Sequence, residues 1–91
     1  MDKKFLNKVL DQIVSETTID YDEERFHPPF SHPVFLNSSF VFFSFSSLSP
    51  FSPYPSFIIH CREVYGLNKE EIGYVWYEYR KIIKDKIYNG L

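Results

Sequence analysis

The sequence predicts a mainly α-helical protein, residues 1–91 forming one small domain in which an N-terminal helix and a C-terminal helical hairpin surround an irregular middle segment. Three observations predict this class. Apolar residues recur at helical spacing towards both ends, a capping pattern precedes the last helix, and the stretch from Phe26 to Cys61 contains no Asp, Glu, Lys or Arg. A chain of 91 residues has the size of a single domain with its own core.

The first predicted helix covers residues 3–16. Its apolar side chains follow the i, i+3, i+4, i+7 spacing that places them on one helical face. Asp2 occupies the N-cap position, where a carboxylate can accept a hydrogen bond from a free backbone N–H of the first turn. β-branched residues from Thr17 onward disfavour further helix. The apolar stripe consists of Phe5, Leu6, Val9, Leu10, Ile13 and Val14.

A helical hairpin is predicted for the C-terminal part, with a short helix over 56–65 and a long helix over 69–88. Gly66 can close the short helix in the left-handed conformation, and Asn68 with Glu71 has the spacing of a capping box. Acidic residues lead the long helix and basic residues dominate its end, as the helix dipole favours. We expect the interface between the two helices to bury Phe57, Cys61, Val64, Leu67, Ile72, Val75 and Trp76.

The middle segment, residues 17–55, is rich in Phe, Ser and Pro. Its prolines interrupt any continuous helix, while its phenylalanines are too dense for a solvated linker. Residues 19–26 have a strand-like pattern, and residues 40–46 alternate as a strand that could pair with 19–26 or with 34–36. With a turn at 36–39, a small β-hairpin would make the fold α+β. We expect this aromatic segment to wrap the apolar face that the helices leave exposed.

Composition gives a general class and no more. The net charge of −2 offers no whole-molecule argument for binding nucleic acid or an anionic membrane. Cys61 is the single cysteine, which excludes an internal disulfide and favours a reducing compartment. The N-terminus lacks the unbroken apolar stretch of a signal peptide, so we expect a cytoplasmic protein. Richness in Lys, Ile, Tyr, Asn and Phe resembles the composition of small proteins of phages, viruses or A/T-rich microbes.

The sequence gives little support for catalysis or metal binding. The side chains that could bind a soft metal ion are His27, His32, His60 and Cys61. Neighbouring side chains on a helix point about 100° apart, so His60 and Cys61 do not converge on one ion as a tetrahedral site requires. No serine lies in a G-x-S-x-G motif, and the glycines are isolated. The sequence therefore predicts no enzyme, no metal site and no cofactor.

Aromatic residues, 20% of the chain, are its unusual feature. Tyr and Trp supply much contact area at low entropic cost and are enriched at interface hot spots. Some of the rings fall off the apolar stripe of the last helix, and they either form a second surface or cover the middle segment within one chain. The sequence thus predicts a small accessory or assembly protein that binds a protein partner or itself. The predicted interface residues are Tyr74, Trp76, Tyr77, Tyr79, Phe42, Phe43 and Phe45.

Two alternatives remain open. One is a helix-turn-helix-like DNA-binding protein that uses residues 57–80, with Gly66 in the turn. Glu70 and Glu71 would then face the phosphates, which disfavours DNA binding. The other is membrane association through residues 34–49, which contain several serines and are shorter than the about 20 apolar residues of a spanning helix.

Overall fold

The computed structural model describes residues 2–29, 43–47 and 54–90. Within these residues it contains three α-helices and a small antiparallel sheet, which confirms the mainly helical class with an added β element. The helices are α1 (Lys3–Glu16), α2 (Tyr54–Tyr65) and α3 (Lys69–Gly90). The strands are β1 (Thr18–Asp20), β2 (Arg25–His27) and β3 (Phe43–Ser44), followed by a 3-10 turn over Phe45–Ser47.

α1 begins and ends on local hydrogen bonds. The Asp2 carboxylate accepts a hydrogen bond from the Phe5 N–H at 3.2 Å, as the N-cap prediction requires. At the other end, the Thr17 hydroxyl donates to the Ile13 carbonyl at 2.8 Å while the Thr17 backbone is already extended. The helix buries Leu6, Val9, Leu10 and Ile13, whereas Phe5 at the edge of the predicted stripe is exposed.

The turn between α2 and α3 also follows the local prediction. Gly66 has a φ of +66°, and the N–H of the following Leu67 donates to the Cys61 carbonyl at 3.2 Å, which closes α2. Asn68 and Glu71 form the reciprocal capping box: each backbone N–H donates to the other side chain at 2.9 Å. Both helices extend two residues beyond the predicted outer ends, to Tyr54 and Gly90.

For one residue of this hairpin, Val64, the prediction of burial is wrong. Val64 was expected at the helix interface, but 59% of it is exposed. The reason lies in the turn at Gly66. The left-handed glycine reverses the chain so that Leu67 folds back and is buried at this end of the hairpin, while Val64 in the last turn of α2 faces outward. Phe57 and Cys61 fill the rest of the interface as predicted.

The sheet is a meander in the order β1-β2-β3. The single strand predicted over 19–26 is wrong, because the chain turns within it. The Asp20 carboxylate accepts a hydrogen bond from the Glu23 N–H at 3.1 Å, and Glu24 adopts a φ of 53°, so β1 and β2 form a hairpin. β3 pairs antiparallel with β2, with Phe43 opposite Phe26. This confirms the predicted pairing between residues 40–46 and residues 19–26.

Only part of the strand predicted over 40–46 is extended, since the 3-10 turn begins at Phe45. Residues 40–42, the possible partner strand over 34–36 and the turn over 36–39 lie outside the described residues. The predicted membrane segment, 34–49, is described only over its residues 43–47. Among the parts of the chain that the structure describes, no helix combines the length and apolar character needed to cross a bilayer.

Buried side chains from the helices and the sheet form a hydrophobic core. Phe26 of β2 is fully buried in it, so part of the uncharged segment contributes directly to the core. α3 contributes the largest share and contacts both α1 and α2. One side of α3 is therefore covered and the opposite side faces outward. The buried residues of α3 are Ile72, Val75, Trp76, Tyr79, Ile83 and Ile87.

Candidate interaction surface

Two of the predicted interface residues lie in the core instead. Trp76 is 5% exposed and Tyr79 fully buried. The Trp76 ring centroid lies 4.8 Å from that of Phe57 and 5.3 Å from that of Tyr54, so both α2 rings pack against it. Arg80 lies over the same ring, with the guanidinium carbon 5.9 Å from the ring centroid. Trp76 and Tyr79 therefore join α2 to α3 inside the chain.

The hydroxyl group of Tyr79 is satisfied within the protein. It shares a hydrogen bond of 2.9 Å with the Thr17 hydroxyl, which joins α3 to the end of α1. Burial raises the pKa of the Tyr79 phenol, and the hydrogen bond with Thr17 opposes that rise. A buried polar group needs a hydrogen-bond partner, and the Thr17 hydroxyl is that partner for the Tyr79 phenol. The neutral phenol therefore has a structural role in the core.

Tyr74 and the described phenylalanines also contact their own chain. The Tyr74 hydroxyl donates to the Asn7 side chain at 3.4 Å, so this half-buried ring lies against α1. Phe43 packs on Phe26 with 5.7 Å between ring centroids. The Phe45 and Tyr21 rings pack edge to face, with 6.3 Å between their centroids. Both phenylalanines are half-buried, and Phe42 lies outside the described residues.

Of the predicted interface residues that the structure describes, Tyr77 is the one that faces outward. It is 61% exposed, and the Lys81 ammonium nitrogen lies 6.0 Å from its ring centroid. Tyr88, three helical turns further on, is 76% exposed. Lys81 and Lys84 lie between the two tyrosines at helical spacing, so all four side chains share one line along α3. This line spans about 16 Å and lies opposite the buried face.

The same line continues towards the start of α3 with Glu70 and Gly73. Among the described residues, a methyl group at Gly73 would meet no atom within 4 Å apart from its chain neighbours and its own helix backbone, so there is space for a side chain at this point. We call these residues the outer face of α3. Its members are Glu70, Gly73, Tyr77, Lys81, Lys84 and Tyr88.

Sequence reasoning identified only part of this face. Tyr77 was included because it falls off the apolar stripe, but Gly73, Lys84 and Tyr88 were not assigned to a site. Their common signal was present in the sequence: each lies three, four or seven residues from another member, which places them on one helical face. What the spacing could not reveal is that α1 and α2 both pack elsewhere on α3.

The nucleophilic and metal-ligating residues that the structure describes do not form a second site. Burial raises the pKa of the Cys61 thiol to about 12, so it is a protonated core side chain. Burial, followed by the charge of Glu16, raises the pKa of Tyr65. Among the described residues, which include His27 and His60 but not His32, no group of three or more His, Cys, Asp or Glu side chains is placed to hold a metal ion.

The helix-turn-helix alternative receives no added support from the start of α3. Glu71 is engaged in the capping box, and Glu70 is exposed in the first turn, where a recognition helix would meet phosphates. A carboxylate at that position repels DNA.

Comparison with protein families, with curated proteins and with solved structures found no match for this chain.

Proposed function

We propose that this protein is a small, non-enzymatic binding protein that contacts another protein chain through the outer face of α3. The observation that carries the proposal is the exposure of two tyrosines, Tyr77 at 61% and Tyr88 at 76%, on one line of a 22-residue helix. Exposed aromatic rings on a rigid helix are suited to an interface, because they supply apolar area at low entropic cost. A role as an accessory or assembly protein follows from this type of surface.

A protein partner suits the charges around this face better than nucleic acid does. Glu70 lies on the face itself. A nucleic acid following Lys81 and Lys84 along this face would meet the Glu70 carboxylate near the start of the helix.

We also propose a cytoplasmic location, because Cys61 is a free buried thiol. This location is independent of the binding proposal. Fractionation of cells that express the tagged chain would test it, and recovery in another compartment would contradict it.

The binding proposal is tested by capturing partners with the full chain under native conditions. The double variant Tyr77→Ala, Tyr88→Ala removes both exposed rings, while Val64→Ala on α2 removes a side chain of similar exposure away from α3. A partner of this face should be captured by the wild type and by Val64→Ala, and lost with the double variant. Circular dichroism first checks that all three chains fold alike.

Equal capture by the three chains would show that the outer face of α3 is not the binding surface. The DNA alternative is tested in parallel with duplex DNA at low salt. Retention that weakens steeply as salt rises and depends on Lys81 and Lys84 would favour nucleic acid over protein.

A further inference from the structure

We infer that the partner of the outer face of α3 is a second copy of this chain, with the two α3 helices antiparallel about a two-fold axis at Tyr77. This inference rests on the proposed function and names its partner. The two-fold axis is a requirement of a closed homodimer, in which the same surface of both copies meets itself. The outer face of α3 must therefore be complementary to its own reversed copy.

The charges of the outer face are arranged symmetrically about Tyr77. Glu70 lies about two helical turns before Tyr77, and Lys84 lies about two turns after it on the same line. In an antiparallel pair centred on Tyr77, each Glu70 is opposite Lys84 of the partner subunit. Two pairs of opposite charge form, one at each end, and the two Tyr77 rings meet at the centre.

Gly73 has a role in the same arrangement. Glycine inside a helix destabilises it relative to alanine. Among the described residues, no atom apart from its chain neighbours and its own helix backbone lies within 4 Å of the place where its side chain would be. The described part of the chain thus gives no packing reason for glycine here. Gly73 lies about one turn before Tyr77 and Lys81 about one turn after it, so each Gly73 faces Lys81 of the partner subunit. The missing side chain leaves room for that lysine stem and for close approach of the helices.

Other ways of pairing the two outer faces are less favourable. A parallel pair in register would place each lysine against its own copy. An antiparallel pair centred between Lys81 and Lys84 would bring the tyrosines together but would place Lys81 against Lys84 of the partner subunit. Of these three arrangements, the one centred on Tyr77 combines aromatic contact with opposite charges at both ends.

The test is sedimentation equilibrium of the full chain over a range of concentrations. Glu70→Lys alone and Lys84→Glu alone should each weaken dimerisation about tenfold or more, because both charge pairs become repulsive. An equimolar mixture of the two variants should restore the dimer, since a mixed dimer regains both pairs. Glu63→Lys, on the exposed face of α2, makes the same charge change as the first variant and should leave the dimer unchanged.

Three outcomes would overturn the inference. A dimer that Glu70→Lys and Lys84→Glu do not weaken uses another surface. Weakening without restoration in the mixture excludes the antiparallel arrangement. A chain that is monomeric at every concentration has no self-contact; if it still captures another protein through Tyr77 and Tyr88, the proposed function stands and only the identity of the partner is wrong. Thermal unfolding of each variant shows whether its fold is intact.

Discussion

Tyr21 packs its ring against the backbone of Gly90, at the C-terminal end of α3. The contact is close enough that a methyl group at Gly90 would overlap the ring. The Tyr21 hydroxyl donates to the Lys86 carbonyl at 3.1 Å, one of the last carbonyls of the helix. The turn between β1 and β2 thus supplies a hydrogen-bond donor to a carbonyl at the end of α3. Because Gly90 has no side chain, the Tyr21 ring can approach the helix backbone closely.

We expect Gly90→Ala to displace the Tyr21 ring and to lower the free energy of unfolding by about 0.5–1.5 kcal/mol, the range of one lost hydrogen bond. The cost is small because Tyr21 is partly exposed and its ring can rotate away. Urea unfolding measures the change. Tyr21→Phe is the matched variant, since it removes the same hydrogen bond and keeps the ring. An unchanged stability in both variants would show that this contact does not hold the end of α3.

Gly73→Ala should have the opposite effect on the folded chain. No steric contact opposes the new methyl group, and alanine in a helix interior is more favourable than glycine by about 1 kcal/mol. Thermal or urea unfolding at a concentration where the chain is monomeric should show this gain. If Gly73 makes room for a second copy, the same variant should dimerise less readily. A destabilised monomer would contradict the open surroundings of Gly73.

Two residues of α2, Phe57 and Val64, should differ clearly in their contribution to stability. Phe57 is fully buried between the Trp76 and Tyr79 rings, so Phe57→Ala should lower the free energy of unfolding by about 3–5 kcal/mol. Val64→Ala removes an exposed side chain and should change it by less than about 0.5 kcal/mol. Urea unfolding of both variants decides the matter. Comparable losses would place Val64 in the helix interface after all.

Stability should fall at alkaline pH through Cys61. Its folded pKa is raised by burial to about 12 from an ordinary value of 9.0. The neutral thiol therefore favours the folded state fully below about pH 9, and this contribution is lost as pH rises towards 12, because the unfolded chain ionises first and binds fewer protons. The slope contributed by this thiol is at most about 1.4 kcal/mol per pH unit.

Cys61→Ala should flatten this part of the profile between about pH 8.5 and pH 9.5. Tyr79 contributes little in this window because its ordinary pKa of 10.0 lies above it, so the tyrosine stays mostly protonated even in the unfolded chain. Urea unfolding under reducing conditions measures the slope in both chains. The absolute stability of the variant falls because a buried side chain is shortened, so the slopes are compared rather than the values. Equal slopes would show that the thiol is accessible to solvent in the folded state.

Helix ends were predictable because their hydrogen bonds are local. Asp2, Gly66 and the pair Asn68–Glu71 each act within a few residues of the chain, and the structure forms every one of these caps. The strands were harder to predict. A run from residue 19 to 26 reads as one strand, and the turn within it depends on an Asp20 hydrogen bond and on pairing of Phe26 with Phe43 across a long sequence separation.

By itself the sequence determined that both ends of the chain are helical and where the helix caps lie. It also separated the apolar stripe of α3 from the other side chains of that helix. These features depend on residue spacing and local chemistry. Tertiary structure alone decided which off-stripe rings are covered. Tyr74 and Tyr77 looked equivalent, yet Tyr74 reaches Asn7 of α1 while Tyr77 faces outward. The physical reason is that helical spacing defines the faces of a helix, whereas burial depends on where the neighbouring helices pack.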